Sequence, residues 1–408
     1  MTDAPAAEPR DGTVRRPVPR RRTIAFACAA AGGATLLAMA LMAAVVWMAR
    51  PTPTPECHAY YGLLRIVREN LTGTRVDWPE HPAGGFVYNR AHPHYRRPWS
   101  VPDARPADVP RRILMLGDSH LHGVCETSEN MTSLLDEALA PAQVVNCGIF
   151  GWSPFDALRY YRDELRGKRF DDVVFVLFVG NDLSEMMRPG RARLVREGDA
   201  WVEREVDEAP EPYPGHLALA LWRLGLRAPD SLPPSAGRAL RAKGMAVISP
   251  GSLDQGGFQA MYFQDHPEEI PVALDMLAHV LRSMRDLAAK RDATFRVVLL
   301  PTKNMTEPRS VEGVRRELTR VLGVEPRNLD FDAEFHGEVR AILARLGIPW
   351  TDLAPVLRAA AERAHASRPM FWFADFHLST FGHAEAARAL LPVLDPDAGR
   401  AADGVVPE

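Results

Sequence analysis

From residue 111 to about residue 394, short apolar runs alternate with stretches of helical period. RRILMLG (111–117), QVVNC (143–147), DVVFVLFVG (172–180), FRVVLLP (295–301) and IPWTDL (348–353) read as strands. The third run is apolar almost throughout, as expected of a strand covered on both faces. Between them, 128–140, 153–166, 271–291, 332–346 and 380–394 space their apolar residues three and four apart and predict helices. Ser128 stands where an N-cap is wanted, and Pro154 occupies a first helical position, where its missing N–H costs nothing. Five strands alternating with helices predict an α/β domain, a flavodoxin-like three-layer arrangement of about five parallel strands, over 111–397.

The alternation lapses at 188–270, an insertion rich in proline and charge with one short apolar helix near 216–224. Upstream, 50–110 holds no sustained period: a stiff PTPTP spacer (51–55), a short helix over 60–70 and a segment that wraps the domain. Residues 23–49 carry no charge, and as a helix would reach roughly 40 Å, more than the roughly 30 Å of a bilayer's hydrocarbon. Arg10, Arg15, Arg16, Arg20, Arg21 and Arg22 precede this span and place the 1–22 tail in the cytoplasm. The apolar core is too long for a cleaved leader, so one N-terminal transmembrane helix is expected as a signal anchor. The chain then crosses the bacterial inner membrane once, with its folded domain periplasmic or extracellular and 398–408 as a tail.

Composition changes little. Of 408 residues, 46% are apolar and 25% charged, which is ordinary for a globular chain. A net charge of -3 with no basic, aromatic-interleaved stripe argues against nucleic acid as a partner. Four cysteines are too few for a disulfide scaffold. Cys28 falls in the span, and Cys57, Cys125 and Cys147 allow at most one bridge, with three pairings open.

The chemistry lies at the strand ends, where ligands bind in such sheets. Strand one ends in Gly117-Asp118-Ser119, strand two in NCGIFG (146–151) and strand three in Gly180-Asn181-Asp182; FADFHLSTFGH (373–383) leads into the last helix. Acyl transfer needs a hydroxyl, an imidazole to take its proton, and a carboxylate to orient that imidazole. Ser119, His377 and Asp375 supply the three. The oxyanion of a tetrahedral intermediate needs donors, and the backbone N–H groups of Ser119 and Gly151 with the Asn181 amide supply them.

These four blocks, in this order on these elements, resemble the signature of the SGNH (GDSL-type) hydrolase superfamily. The resemblance covers 111–394 apart from the insertion, and is similar in its D-x-H ending to membrane-anchored relatives that act on bacterial exopolysaccharides. It implies Ser119 as nucleophile, Gly151 and Asn181 in the oxyanion hole, Asp375 and His377 completing a triad, and neither metal nor organic cofactor. Two departures stand out: His120 follows the serine where an apolar residue is usual, and Asp375 and His377 are two apart where three is common. Residues two apart share a side only in extended backbone, so 374–378 is expected to be extended. LLPTKN (299–304) also resembles a P-x-K stretch of alginate-type O-acetyltransferases.

Plainer roles compete. Asp118 reads as a structural cap, since a charge beside the nucleophile would hinder its ionisation. Gly148 competes with Gly151, and His383 with His377, although no carboxylate stands two or three residues before His383. Asp118, His120 and His122, or His92 and His94, lack a closely spaced third partner for a metal. Trp152, Trp372 and Phe376 are core residues or, if exposed by Ser119, a sugar platform. The expected activity is that of a membrane-anchored extracytoplasmic serine esterase removing acyl groups, O-acetyl in the simplest case, from a cell-envelope glycan or lipid. An O-acyltransferase modifying an exopolysaccharide is the alternative. A non-catalytic glycan-binding or scaffold protein is the second, since fold does not fix function.

Overall fold

The computed structural model describes residues 66–70, 73–77, 85–89, 91–149, 151–187, 192–205, 258–307, 331–364, 368–372 and 377–395, with Gly32, Gly33, Leu41 and Thr319 as isolated positions. The chain divides into two units, Met1–Arg50 and Pro51–Glu408. Of the expected anchor at 23–49, all but three residues lie outside the described ones. Among the described residues no helix is long and apolar enough to cross a membrane.

Within the second unit, β1 (Ile66–Asn70), β2 (Gly73–Asp77) and β3 (Gly85–Asn89) form an antiparallel sheet, with Asn70 opposite Gly73 and Val76 opposite Phe86. This corrects the helix expected over 60–70, at least for 66–70. Short segments holding Ile66, Val67, Thr74, Val76, Phe86, Val87 and Tyr88 are rich in the β-branched and aromatic types that favour pleated backbone.

The main sheet contains β4 (Arg112–Gly117), β5 (Gln143–Gly148), β6 (Asp172–Phe178) and, after a separate antiparallel hairpin of β7 (Ala192–Glu197) and β8 (Ala200–Glu205), β9 (Thr294–Leu300) and β10 (Trp350–Asp352). Its order is β5-β4-β6-β9-β10 and every pairing is parallel, the flavodoxin-like order. Successive side chains leave opposite faces. Leu114 and Leu116 of β4, Val173, Phe175 and Leu177 of β6, and Val297 and Leu299 of β9 join one apolar core. Ile113 and Met115, Val174, Val176 and Phe178, and Val298 and Leu300 join the other. Each such side chain, fully buried, contributes roughly 2 kcal/mol.

The helices that close the two cores are α1 (Ser119–His122), α2 (Met131–Ala138), α3 (Pro154–Asp163), α4 (Asp182–Met187), α5 (Phe258–Asp265), α6 (Glu269–Ala289), α7 (Lys303–Thr306), α8 (Phe331–Leu346), α9 (Ala354–Arg363) and α10 (Thr380–Leu394). Residues of α3, α4, α6 and α8 join the first core, and those of α2, α9 and α10 join the second, giving three layers. Ser153 caps α3 and Pro154 begins it, as expected. Asn130 rather than Ser128 caps α2: its side-chain oxygen accepts the Thr132 N–H, while Ser128 sits in a preceding 3-10 turn. The β7–β8 hairpin is an addition to the pattern expected of the insertion, and the helix expected near 216–224 lies outside the described residues. Cys125 and Cys147 are buried free thiols, and Cys57 lies outside the described residues.

Candidate active site

β4 lies in the sheet with β5 on one side and β6 on the other, so the connections leaving it diverge at its carboxyl end, the place where ligands bind in such sheets. The chain there turns from strand into α1 within two residues. Gly117 makes this possible: a Cβ would sit 3.0 Å from the Val176 carbonyl oxygen and 3.1 Å from Leu121 Cβ. Asp118 caps α1, its carboxylate accepting the His120 N–H at 2.9 Å. Ser119 is then the first helical residue and only 5% exposed.

Asp118 reports how the last block reaches the first. Burial pushes its carboxyl up to about 6, opposed by the His120 backbone bond and the charge of His377. The turn holding Ser119 thus lies close to His377, whose ring packs against His120, although the two come from separate elements. Asn181 follows β6, and its Nδ2 donates to Glu185 Oε1 at 3.1 Å. Asp182, next in sequence, accepts the Phe178 N–H at 2.8 Å and closes the end of β6.

His377 is 3% exposed and stands in the chain just before α10. Its carbonyl accepts the Trp372 N–H at 3.0 Å, and Leu378 bridges Phe371 in antiparallel fashion. The described end of the segment expected to be extended is therefore strand-like, while Asp375 and Phe376 lie outside the described residues. The His377 ring centres 4.8 Å from that of His120, which in turn stacks on Phe178 at 3.7 Å. Burial, then the charges of His377 and His383, hold His120 well below the usual imidazole range. The residue that departs from the expected pattern at 120 is thus a neutral ring wedged between strand β6 and the candidate base.

The two glycines of block two separate cleanly. Gly148 packs against α1, where a Cβ would lie 2.3 Å from the His122 backbone nitrogen. Its own N–H donates to Asn146 Oδ1 at 2.8 Å and is already engaged. Gly151 is exposed, has φ +71 and has nothing within 4 Å of a built Cβ. Left-handed backbone favours glycine there, in a turn closed by the Trp152 N–H on the Ile149 carbonyl at 3.3 Å. His383 is fully buried, accepts the Met131 N–H on Nδ1 at 3.4 Å and is pushed down to about 3 by burial. It is a helix-packing residue. Trp372 is buried, and Trp152 packs on Tyr160 with rings 4.9 Å apart.

Several site-supporting residues carry no mark in the sequence. Arg97, from the wrapping segment, is 5% exposed and donates to Asn146 Oδ1 at 3.1 Å and to the Gly148 carbonyl at 2.9 Å. Its Nη2 lies 3.2 Å from His122 Nδ1, and burial together with this charge brings His122 down to about 3. His122 thus faces Arg97 while His120 faces His377, so the two histidines do not converge on a common point. His94 lies 2.6 Å from Asp136, which also takes Arg96. Among the described residues, one group has ligand atoms close enough for a cation, His266, Glu268 and Glu269 at the start of α6.

No protein-family model matches the chain, and no curated protein matches it in sequence. Solved structures similar to it include an acetylxylan esterase from Geobacillus stearothermophilus, at 14% identity over 71% of this chain and 95% of that one, with a TM-score of 0.36. A member of the lipolytic G-D-S-L family from Veillonella parvula matches at 11% identity over 69% and 97%, with a TM-score of 0.35. An alpha/beta hydrolase from the metagenome of Lake Arreo, Spain, matches at 12% over 69% and 94%, with a TM-score of 0.35. Likenesses at such identities and scores carry no functional argument; the geometry at the end of β4 does.

Proposed function

We propose that the protein is a serine ester hydrolase with Ser119 as nucleophile. The observation that carries this reading is the packing of the His377 ring against His120, the neighbour of Ser119 in the chain, with ring centres 4.8 Å apart although the two histidines lie more than 250 positions apart. His377 takes the hydroxyl proton as Ser119 Oγ bonds to the ester carbonyl carbon. Asp375 orients the imidazole, and the N–H groups of Ser119 and Gly151 with the Asn181 amide receive the oxyanion. The intermediate collapses with loss of the alcohol, which leaves with the proton held by His377. Water then attacks the acyl-enzyme, giving up a proton to His377, and the acid departs as Ser119 is restored.

The substrate on this reading is an O-acyl group, O-acetyl in the simplest case, on a cell-envelope glycan or lipid. The 23–49 span would hold the domain at the outer face of the bacterial inner membrane, within reach of such substrates. An O-acyltransferase differs only in the second acceptor, a polysaccharide hydroxyl in place of water.

The test is turnover of p-nitrophenyl acetate by the full chain, with and without an oligosaccharide acceptor. Ser119→Ala and His377→Ala are each expected to lower kcat by about 10³-fold or more, as removal of a nucleophile or base does. Release of acetate into water at the same rate with and without acceptor supports hydrolysis. Acetylated oligosaccharide in its place supports transfer. Variants as active as the wild type would remove both readings.

A further inference from the structure

Lys303 is 4% exposed, and the ester-hydrolysis steps do not use it. It opens α7, directly after β9, and is the lysine of the P-x-K stretch. Its Nζ donates to the Trp372 carbonyl at 3.2 Å and lies 3.9 Å from a carboxylate oxygen of Glu307, one turn on. Glu307 Oε1 in turn accepts the N–H groups of Met370, at 2.5 Å, and Phe371, at 3.4 Å. The pair, Lys303 buried and Glu307 half-buried, therefore grips three consecutive residues, 370–372.

Those residues are the first arm of the pairing whose second arm carries the candidate base. Ser379 N–H donates to the Met370 carbonyl at 3.0 Å, Phe371 bridges Leu378, and Trp372 N–H donates to the His377 carbonyl at 3.0 Å. The Trp372 indole reaches the other way: Nε1 donates to the Val124 carbonyl at 2.9 Å. Val124 follows Gly123, whose N–H bonds the Ser119 carbonyl at 2.9 Å, so this contact lands on the nucleophile's own turn. One residue is thus bonded to the first residue of α7, to the loop following Ser119 and to the backbone of His377.

Stability alone gives little reason for this arrangement. Burying the Lys303 ammonium is costly, and apolar replacements of such ionic groups are often neutral or stabilising. What charged groups do supply is directional bonding that holds one geometry. We propose that Trp372, carried by Lys303 and Glu307, is a positioning residue that sets His377 in register with the Ser119 turn. The proposal rests on the reading of Ser119 and His377 as nucleophile and base.

Lys303→Met keeps the aliphatic stem and loses the ammonium donor. Trp372→Phe keeps a buried ring and loses the indole N–H. Each is expected to lower kcat for p-nitrophenyl acetate by about 10-fold to 100-fold, the effect of a small misplacement of a reacting group. KM should stay within about twofold, because no group touching substrate is removed. Circular dichroism and thermal melting establish that the variants compared are folded. Glu307→Gln, which retains an acceptor for Met370 and Phe371, should stay closer to wild type than Glu307→Ala. Unchanged kcat in a folded Trp372→Phe or Lys303→Met, or KM moving as far as kcat, overturns the proposal. Ser119-dependent turnover that ignores both substitutions would remove the clamp alone, whereas a wild type no better than Ser119→Ala would remove the reading beneath it.

Discussion

His120, His122 and His383 are each depressed chiefly by burial, with His122 and His383 at about 3. A histidine whose pKa falls on folding leaves the unfolded chain holding the extra proton between the folded value and about 6.5. Its stabilising effect is therefore full above pH 6.5 and is lost as the pH falls toward the folded value. Asp118, raised to about 6, acts in the opposite sense: its contribution is present below the ordinary carboxylate range and is lost as the pH rises through 6. His383→Gln isolates one of these opposing groups. In urea unfolding, the stability gap between wild type and His383→Gln should narrow by about 1.4 kcal/mol for each pH unit between 6.5 and 4.5. A gap independent of pH would show that His383 does not enter the fold neutral.

At the scale of elements, the strands of the main sheet were legible because both faces of β4, β6 and β9 are buried, which leaves apolar runs with no competing reading. β1–β3 and the β7–β8 hairpin were not, since short segments such as GTRVD and ARLVRE mix charge with apolar residues too briefly to show a period. The site divides in the same way. Ser119, Asn181 and His377 punctuate strand and helix ends, where residue type speaks directly. Arg97, Lys303 and Glu307 acquire their roles only through tertiary partners that a linear pattern does not reveal. The wrapping segment is the clearest case: Arg97 crosses from it to the end of β5 and satisfies the Asn146 side chain and the Gly148 carbonyl. Arg97→Met should cost about 3 kcal/mol in urea unfolding, since charge-assisted bonds in a buried setting are lost together. Arg97→Lys should recover little of it, because an ammonium does not reproduce the planar fork. Arg204, exposed on β8, is the control. Equal losses for Arg97→Met and Arg204→Met would mean that the wrap does not support β5.

Across the whole molecule, a parallel sheet explains how residues more than 250 positions apart meet. Every strand delivers its carboxyl end to the same edge, and the order β5-β4-β6-β9-β10 puts the Ser119 turn at the point where the connections diverge. The Asn181 loop and the P-x-K stretch leave β6 and β9 at this same edge, and the pairing before α10 reaches the Ser119 turn through His377 on His120 and Trp372 on Val124. The central claim is that this edge is a nucleophile site and not a cap on a binding module. It is tested most directly by treating the full folded chain with a fluorophosphonate and mapping the adduct by mass spectrometry. The account predicts one adduct, on the peptide containing Ser119, lost in Ser119→Ala and formed more slowly in His377→Ala. An adduct on another serine, or none on the folded wild type, would contradict it.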